Sequence, residues 1–247
     1  MSLAHAARAL LGAAVLAAAV PAAATPVNVT EVVDRDPFGG AASEKVKFKL
    51  EGRTAVDSLA GRFSLEGDGG FGAFHAFCVD VETALRVTGS GSPYTPTSLP
   101  FGAAVSGAFD RLFTSGYGRI DPAQSHLTAG FQIAVWEVTY DTVEGEDYDI
   151  KKGAFRVRKA SKEARSFATE LLDGLDGLDE GETGGYRLTY LRSAFDGDRQ
   201  ISQNLITASP AAIPLPATAW MMVAGLIALA ATGGLRQGLR RGSVASA

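Results

Sequence analysis

The residues best equipped for chemistry lie in Phe74-His75-Ala76-Phe77-Cys78-Val79-Asp80-Val81, which holds the only cysteine among 247 residues. At period two, Phe74, Ala76, Cys78 and Asp80 share one face of a strand, and His75, Phe77, Val79 and Val81 share the other. Aromatic and β-branched residues at these positions suit a strand in or near a core. Most free cysteines in such a place are small buried hydrophobes. A single cysteine excludes an intramolecular disulfide. In an exported chain it then forms an intermolecular bond, stays a free thiol, or is masked by other chemistry. A cysteine hydrolase would need a histidine base. Of the three histidines, His5 lies near the N-terminus, His75 is on the opposite face of the cysteine strand, and His126 stands early in a helix with no bar to reaching the thiol. Phosphate loops, zinc-ligand spacings and nucleotide fingerprints are absent from the sequence.

The elements that must hold this strand follow from the pattern on either side. Val27, Val29 and Val32 mark a first strand. Lys45 to Leu50 alternates strictly, with Val46, Phe48 and Leu50 inward and three lysines outward, as on a guarded edge strand. Arg62 to Glu66 is a further strand, and Gly67-Asp68-Gly69-Gly70 a turn. Gly89 to Pro100, rich in Gly, Ser, Pro and Thr, reads as a loop. The period then changes. Phe101, Val105, Ala108, Phe109 and Leu112 share a helical face, closed by Gly116 and Gly118. Asp121-Pro122-Ala123-Gln124 predicts the start of a second helix, with Asp121 as N-cap, running to about Tyr140. Leu127, Phe131, Ala134, Val135 and Val138 form its buried stripe. Asp141 to Asp149 reads as an acidic loop, followed by a basic stretch over 151–162. A third helix is expected from Ser161 to Leu172, then closing strands at Tyr186–Leu191 and Ile201–Thr207. The acidic run from Asp173 to Glu180 lacks calcium-loop spacing and reads as a turn, so no metal and no cofactor is expected. Strands, then helices, then strands predict an α+β domain with about three helices packed on a largely antiparallel sheet.

Both ends of the chain differ from its middle. Residues 1–24 form a signal-peptide pattern: Arg8, an apolar run from Ala9 to Val20, and Ala22-Ala23-Ala24. Residues 25–209 form the ectodomain, where 19 basic residues face 27 acidic ones for a net charge of −8. That balance disfavours nucleic acid and anionic lipid as partners. Residues 210–247 contain Ile213-Pro214-Leu215-Pro216-Ala217, an apolar run from Thr218 to Leu235 long enough to span a bilayer, and Arg236, Arg240 and Arg241 to hold its end in the cytoplasm. This tripartite tail resembles the VPLPA-type PEP-CTERM sorting signals of Gram-negative bacteria, with Ile213 in place of the usual valine. The resemblance implies export, anchoring at the inner membrane, recognition by an exosortase-type membrane protease, and release toward the cell envelope.

A second resemblance concerns the ectodomain. Phe77-Cys78-Val79-Asp80, followed by Phe131-Gln132-Ile133-Ala134-Val135-Trp136, is similar to the thioester domains of bacterial surface adhesins. Phe131 stands where those have threonine, and Val79 where they have a second aromatic residue. The resemblance implies that the Cys78 thiolate attacks the Gln132 amide and expels ammonia, with proximity replacing a bimolecular encounter. Phe77 and Trp136 would keep water from the bond, and Asp80 would assist a proton transfer. An amine such as a lysine on a partner would then open the thioester to a covalent amide. Such a protein acts once and is not an enzyme. The same residues admit plainer roles: Gln132 as a partly exposed helix residue, Trp136 as core, Asp80 as a turn cap or partner of Arg86. Two other functions stay open. One is a noncovalent matrix or polysaccharide-associated envelope protein. The other is a cysteine hydrolase.

Overall fold

Alternating apolar residues build eleven strands around three helices among the residues the structure describes, which are 25–141, 148–175, 184–211 and 221–222. The structure is a computed structural model. In chain order the elements are β1 (Val27–Glu31), β2 (Glu44–Leu50), β3 (Val56–Ala60), β4 (Phe63–Gly67), β5 (Gly72–Cys78), β6 (Ser92–Thr97), α1 (Ala103–Gly116), α2 (Ser125–Tyr140), β7 (Phe155–Lys159), α3 (Lys162–Asp173), β8 (Tyr186–Ser193), β9 (Phe195–Asp196), β10 (Arg199–Gln200) and β11 (Leu205–Pro210). The expected mixture of helices and antiparallel sheet is therefore present. The signal peptide, the 213–217 motif, the apolar run and Arg236, Arg240 and Arg241 lie outside the described residues. Among the described residues no helix is long and apolar enough to cross a membrane.

The main sheet closes on itself in the order β1-β4-β5-β11-β8-β6, with every pairing antiparallel. Because cross-strand partners share a face, the register sorts the side chains. Val27 faces Tyr94, Leu205 faces both Cys78 and Leu191, and Phe63 faces Ala76. This set fills the barrel. The alternate set, Phe77, Ile206 and Tyr190, lies outside, where Phe77 packs on Phe113 of α1 and Phe131 of α2. The two faces predicted for the cysteine strand are thus correct as far as Cys78. There β5 ends, so Asp80 belongs to the loop beyond it and to neither face.

A second sheet, β3-β2-β7, flanks the barrel. The three lysines of β2 do not guard an edge, since β2 is the central strand, paired with β3 and β7. One of them, Lys47, pairs with Asp57 across the sheet at 3.3 Å. The basic stretch over 151–162 hides β7, whose Phe155 is fully buried while Arg158 and Lys159 are exposed. The supposed loop over 89–100 contains β6, which carries two prolines. Each proline removes one ladder donor, but buried Ser92 and Tyr94 anchor the strand between β1 and β8.

Helix α2 crosses between the two sheets. It begins at Ser125, a turn later than predicted, because Asp121 caps a preceding turn instead: its carboxylate accepts from the Ala123 N–H and the Gln124 side chain. Every residue from Thr128 to Val138 is buried, so the helix has no solvent stripe. Phe131 meets Phe77 at 4.7 Å on the barrel side, and Trp136 meets Phe48 of β2 at 5.1 Å on the other. These two aromatic contacts fix the roll of the helix and point Gln132 at the end of β5.

The third helix, α3, starts as expected, with Ser161 accepting from the Ala164 N–H at 3.0 Å. It packs on α2 through Gly130, where an added Cβ would stand 2.8 Å from the Ala164 carbonyl oxygen and 2.9 Å from the Phe167 ring. Alanine is the better helix former by about 1 kcal/mol, but a backbone oxygen cannot step aside. Overpacking therefore outweighs propensity, and Gly130→Ala is expected to lower stability by about 1–2 kcal/mol. A shift of the urea midpoint at unchanged slope checks this.

Candidate functional site

The site lies where β5 ends beside the start of β11. Leu205 pairs with Cys78, and the Val79 N–H donates to the Asn204 carbonyl at 3.2 Å. This pairing carries the residue just before Asn204, Gln203, onto the sulfur. The Cys78 thiol donates to Gln203 Oε1 at 2.9 Å and lies 3.0 Å from the Asp80 carbonyl oxygen. Cys78 is 4% exposed and Gln203 6%.

The structure also brings Gln132 to Cys78, but to its backbone. The Cys78 N–H donates to Gln132 Oε1 at 2.9 Å, and Gln132 Nε2 donates to the Cys78 carbonyl at 2.8 Å. Both ends of that carboxamide are occupied, so Gln132 acts as a clamp on the cysteine, and the amide presented to the sulfur is that of Gln203. The expected Cys78–Gln132 pairing is corrected accordingly. Gln132 is not partly exposed either, at 1%.

Gln203 is itself held firmly. The Tyr94 hydroxyl donates to its carbonyl at 2.9 Å and lies 2.8 Å from Ser202 Oγ. Ser202 Oγ accepts from the Arg86 N–H at 2.8 Å, and the Ser202 N–H donates to Ser193 Oγ at 2.9 Å. Tyr94, Ser193 and Ser202 are all buried inside the barrel mouth. Sequence reading placed 201–207 in one closing strand and so missed Gln203. The available signal was the polar run Ser202-Gln203-Asn204 directly before the apolar Leu205-Ile206, which marks a lead-in to the strand.

Asp80 does not serve the thiol through its carboxylate. Its Oδ1 accepts from the Glu82 N–H at 3.0 Å, and its Oδ2 accepts from Gln200 Nε2 at 2.7 Å. The residue caps the turn and ties the β9–β10 hairpin to the cysteine loop, and only its backbone carbonyl touches the sulfur. Trp136 is 1% exposed and its indole nitrogen has no conventional hydrogen-bond partner among the described residues. Burial pushes the Cys78 thiol up to about 12, and the Trp136 indole N–H and the Asp80 backbone oppose that rise. The resting state is thus a neutral thiol against a neutral amide, both buried. Neither His75 nor His126 lines the cavity at Cys78. The His75 ring meets Ser64 at 3.4 Å.

Such an arrangement supports one chemical step that needs nothing from outside. The sulfur attacks the Gln203 side-chain carbonyl, the C–N bond breaks, and the thiol proton leaves with the nitrogen as ammonia. The product is a thioester, with no change of oxidation state.

No protein-family model matches the chain, and no curated protein does. Among solved structures, the N-terminal thioester domain of a protein F2 like fibronectin-binding protein from Streptococcus pneumoniae aligns over 76% of this chain and 99% of its own, at 11% identity and a TM-score of 0.40. A likeness at that level transfers neither fold nor function, and the chemistry of the site stands on its own geometry.

Proposed function

We propose that this protein is an exported cell-envelope protein that attaches covalently to amine-bearing partners through a Cys78–Gln203 thioester. The observation that supports it most is the contact of 2.9 Å between the Cys78 sulfur and the Gln203 amide, both buried and both fixed by other residues. Proximity of that kind replaces a bimolecular encounter, and the surrounding Trp136, Phe38 and Phe63 restrict water. The electrophile is consumed when an amine opens it, so the protein acts once, as an attachment device and not as an enzyme. Opening by methylamine tests this: the amine should add to Gln203 and leave Cys78 open to alkylation after unfolding, whereas a protein that takes up no methylamine has no thioester.

Sorting rests on the two ends of the chain. Residues 1–24 direct export, and the tail over 213–241 anchors the chain at the inner membrane until an exosortase-type protease cuts near Pro214–Ala217. Proline disfavours helix in the residue before it, which suits a protease that reads an extended substrate. Replacing Pro216 is expected to leave a larger, membrane-bound form on fractionation. An unchanged released form would make the tail a plain anchor.

A further inference from the structure

The outward face of the β3-β2-β7 sheet collects cations that the core does not use. Lys45, Lys47 and Lys49 project from the central strand β2, away from buried Val46, Phe48 and Leu50. On β7 the register sets Arg156 opposite Lys49 and Lys159 opposite Lys47. A bulge at that point puts exposed Arg158 beside Lys159. Like charges directly opposite one another destabilise a sheet, yet this one keeps both such pairs. Little on the face offsets them. Asp57 takes Lys47 at 3.3 Å, and Arg156 acts on Asp141 at one end. Lys45, Lys49, Arg158 and Lys159 form no ion pair among the described residues. Six of the 19 basic residues of 25–209 thus share one face, and the remaining 13 are spread through the rest of a region with 27 acidic residues.

We infer that this face, independently of the Cys78 site, binds a linear, carboxylate-bearing polysaccharide without a covalent bond. Alternate residues of a strand stand about 6.6–6.8 Å apart, so the β2 lysines make a row about 13 Å long, with the β7 cations in a second row about 4.8 Å away. An anionic chain laid along the rows would relieve the like-charge pairs. A narrow chain touches the rows alone. A bilayer or a duplex presents a broad negative surface, which would also meet the net-acidic remainder of the domain. Single-stranded nucleic acid finds no aromatic ring on which to stack, because Phe48 and Phe155 are buried in the core. An acidic peptide finds no free edge on β2, which is paired with β3 and β7 on its two sides. What the face offers is ammonium and guanidinium donors, and the carboxylates and hydroxyls of a sugar chain accept from both.

The test measures binding of the full chain to immobilised polygalacturonate at rising salt. The wild type is expected to bind at low salt and to be released as salt screens the contacts. The triple variant Lys45→Gln, Arg158→Gln, Lys159→Gln changes exposed side chains only. It should bind about ten-fold more weakly, because each exposed charge contact contributes modestly. A control triple, Arg187→Gln, Arg192→Gln, Arg199→Gln, removes the same charge from exposed positions on β8 and β10 and should bind as the wild type does. Equal weakening of the two triples would reduce the effect to net charge and overturn the site. Failure of the wild type to bind at low salt would do the same. Tighter binding to polyglutamate, duplex DNA or phosphatidylglycerol vesicles than to polygalacturonate would give the face to another polyanion and overturn the polysaccharide.

Discussion

With its termini fixed by sequencing, the purified protein should weigh one ammonia less than calculated, and Cys78→Ala or Gln203→Ala should each abolish the deficit. The two side chains meet in a site that is already packed, so a bond between them would add a link without reorganising the fold. Neither truncation removes a clamp or a large core group, and each is expected to cost no more than about 2–3 kcal/mol. Alkylation of the folded protein decides nothing, because a buried thiol with its pKa pushed up to about 12 is protected whether bonded or free. Mass decides it. A native protein at full calculated mass, with a thiol that alkylates on unfolding without prior amine, would leave the noncovalent envelope protein as the better account.

The second large effect belongs to Gln132. Its carboxamide satisfies the Cys78 N–H and C=O at once, deep between the two sheets. Gln132→Ala strands two buried backbone groups, each worth about 1–3 kcal/mol when left unpaired, and opens a small cavity. The expected loss is roughly 3–5 kcal/mol, visible as a fall in the thermal midpoint and a lower yield of folded protein. Whatever folds should still show part of the ammonia deficit, since Gln203 remains in place. The contrast with Gln203→Ala separates the roles: one glutamine holds the cysteine backbone, and the other would bond to its sulfur. A stable Gln132→Ala protein at full calculated mass would reverse the assignment and make Gln132 the partner.

Burial at the neighbouring Glu137 shows the same economy of polar groups in α2. Its Oε1 accepts from the Asp149 N–H at 2.9 Å, and desolvation raises its pKa from the usual 4.5 to about 8. The α2 stripe was legible as apolar, yet Gln132 and Glu137, two of its three buried polar residues, resisted a helical wheel. A wheel assumes one solvent face. This helix has none, because the barrel covers one side and β2, β7 and α3 the others.

Local physics was readable wherever a segment's pattern and its surroundings agreed. The alternation of Val46, Phe48 and Leu50, the faces of Ala76 and Phe77, and the Ser161 cap all follow from neighbours within a few residues. The chemical singularity of Cys78 needed only a count, and the net charge of the middle and the apolar tail were likewise matters of composition. Partnership could not be read in that way. Gln132 stands 54 residues from Cys78 and Gln203 stands 125 away. Both are glutamines beside aromatic or apolar runs, and nothing local distinguishes a clamp from an acylating group. That difference is set by the β5–β11 register, which pairs Leu205 with Cys78, and by the Phe131 and Trp136 contacts that turn α2. Register and helix roll are minimised over the whole core at once, so only the tertiary structure decides which amide meets the sulfur.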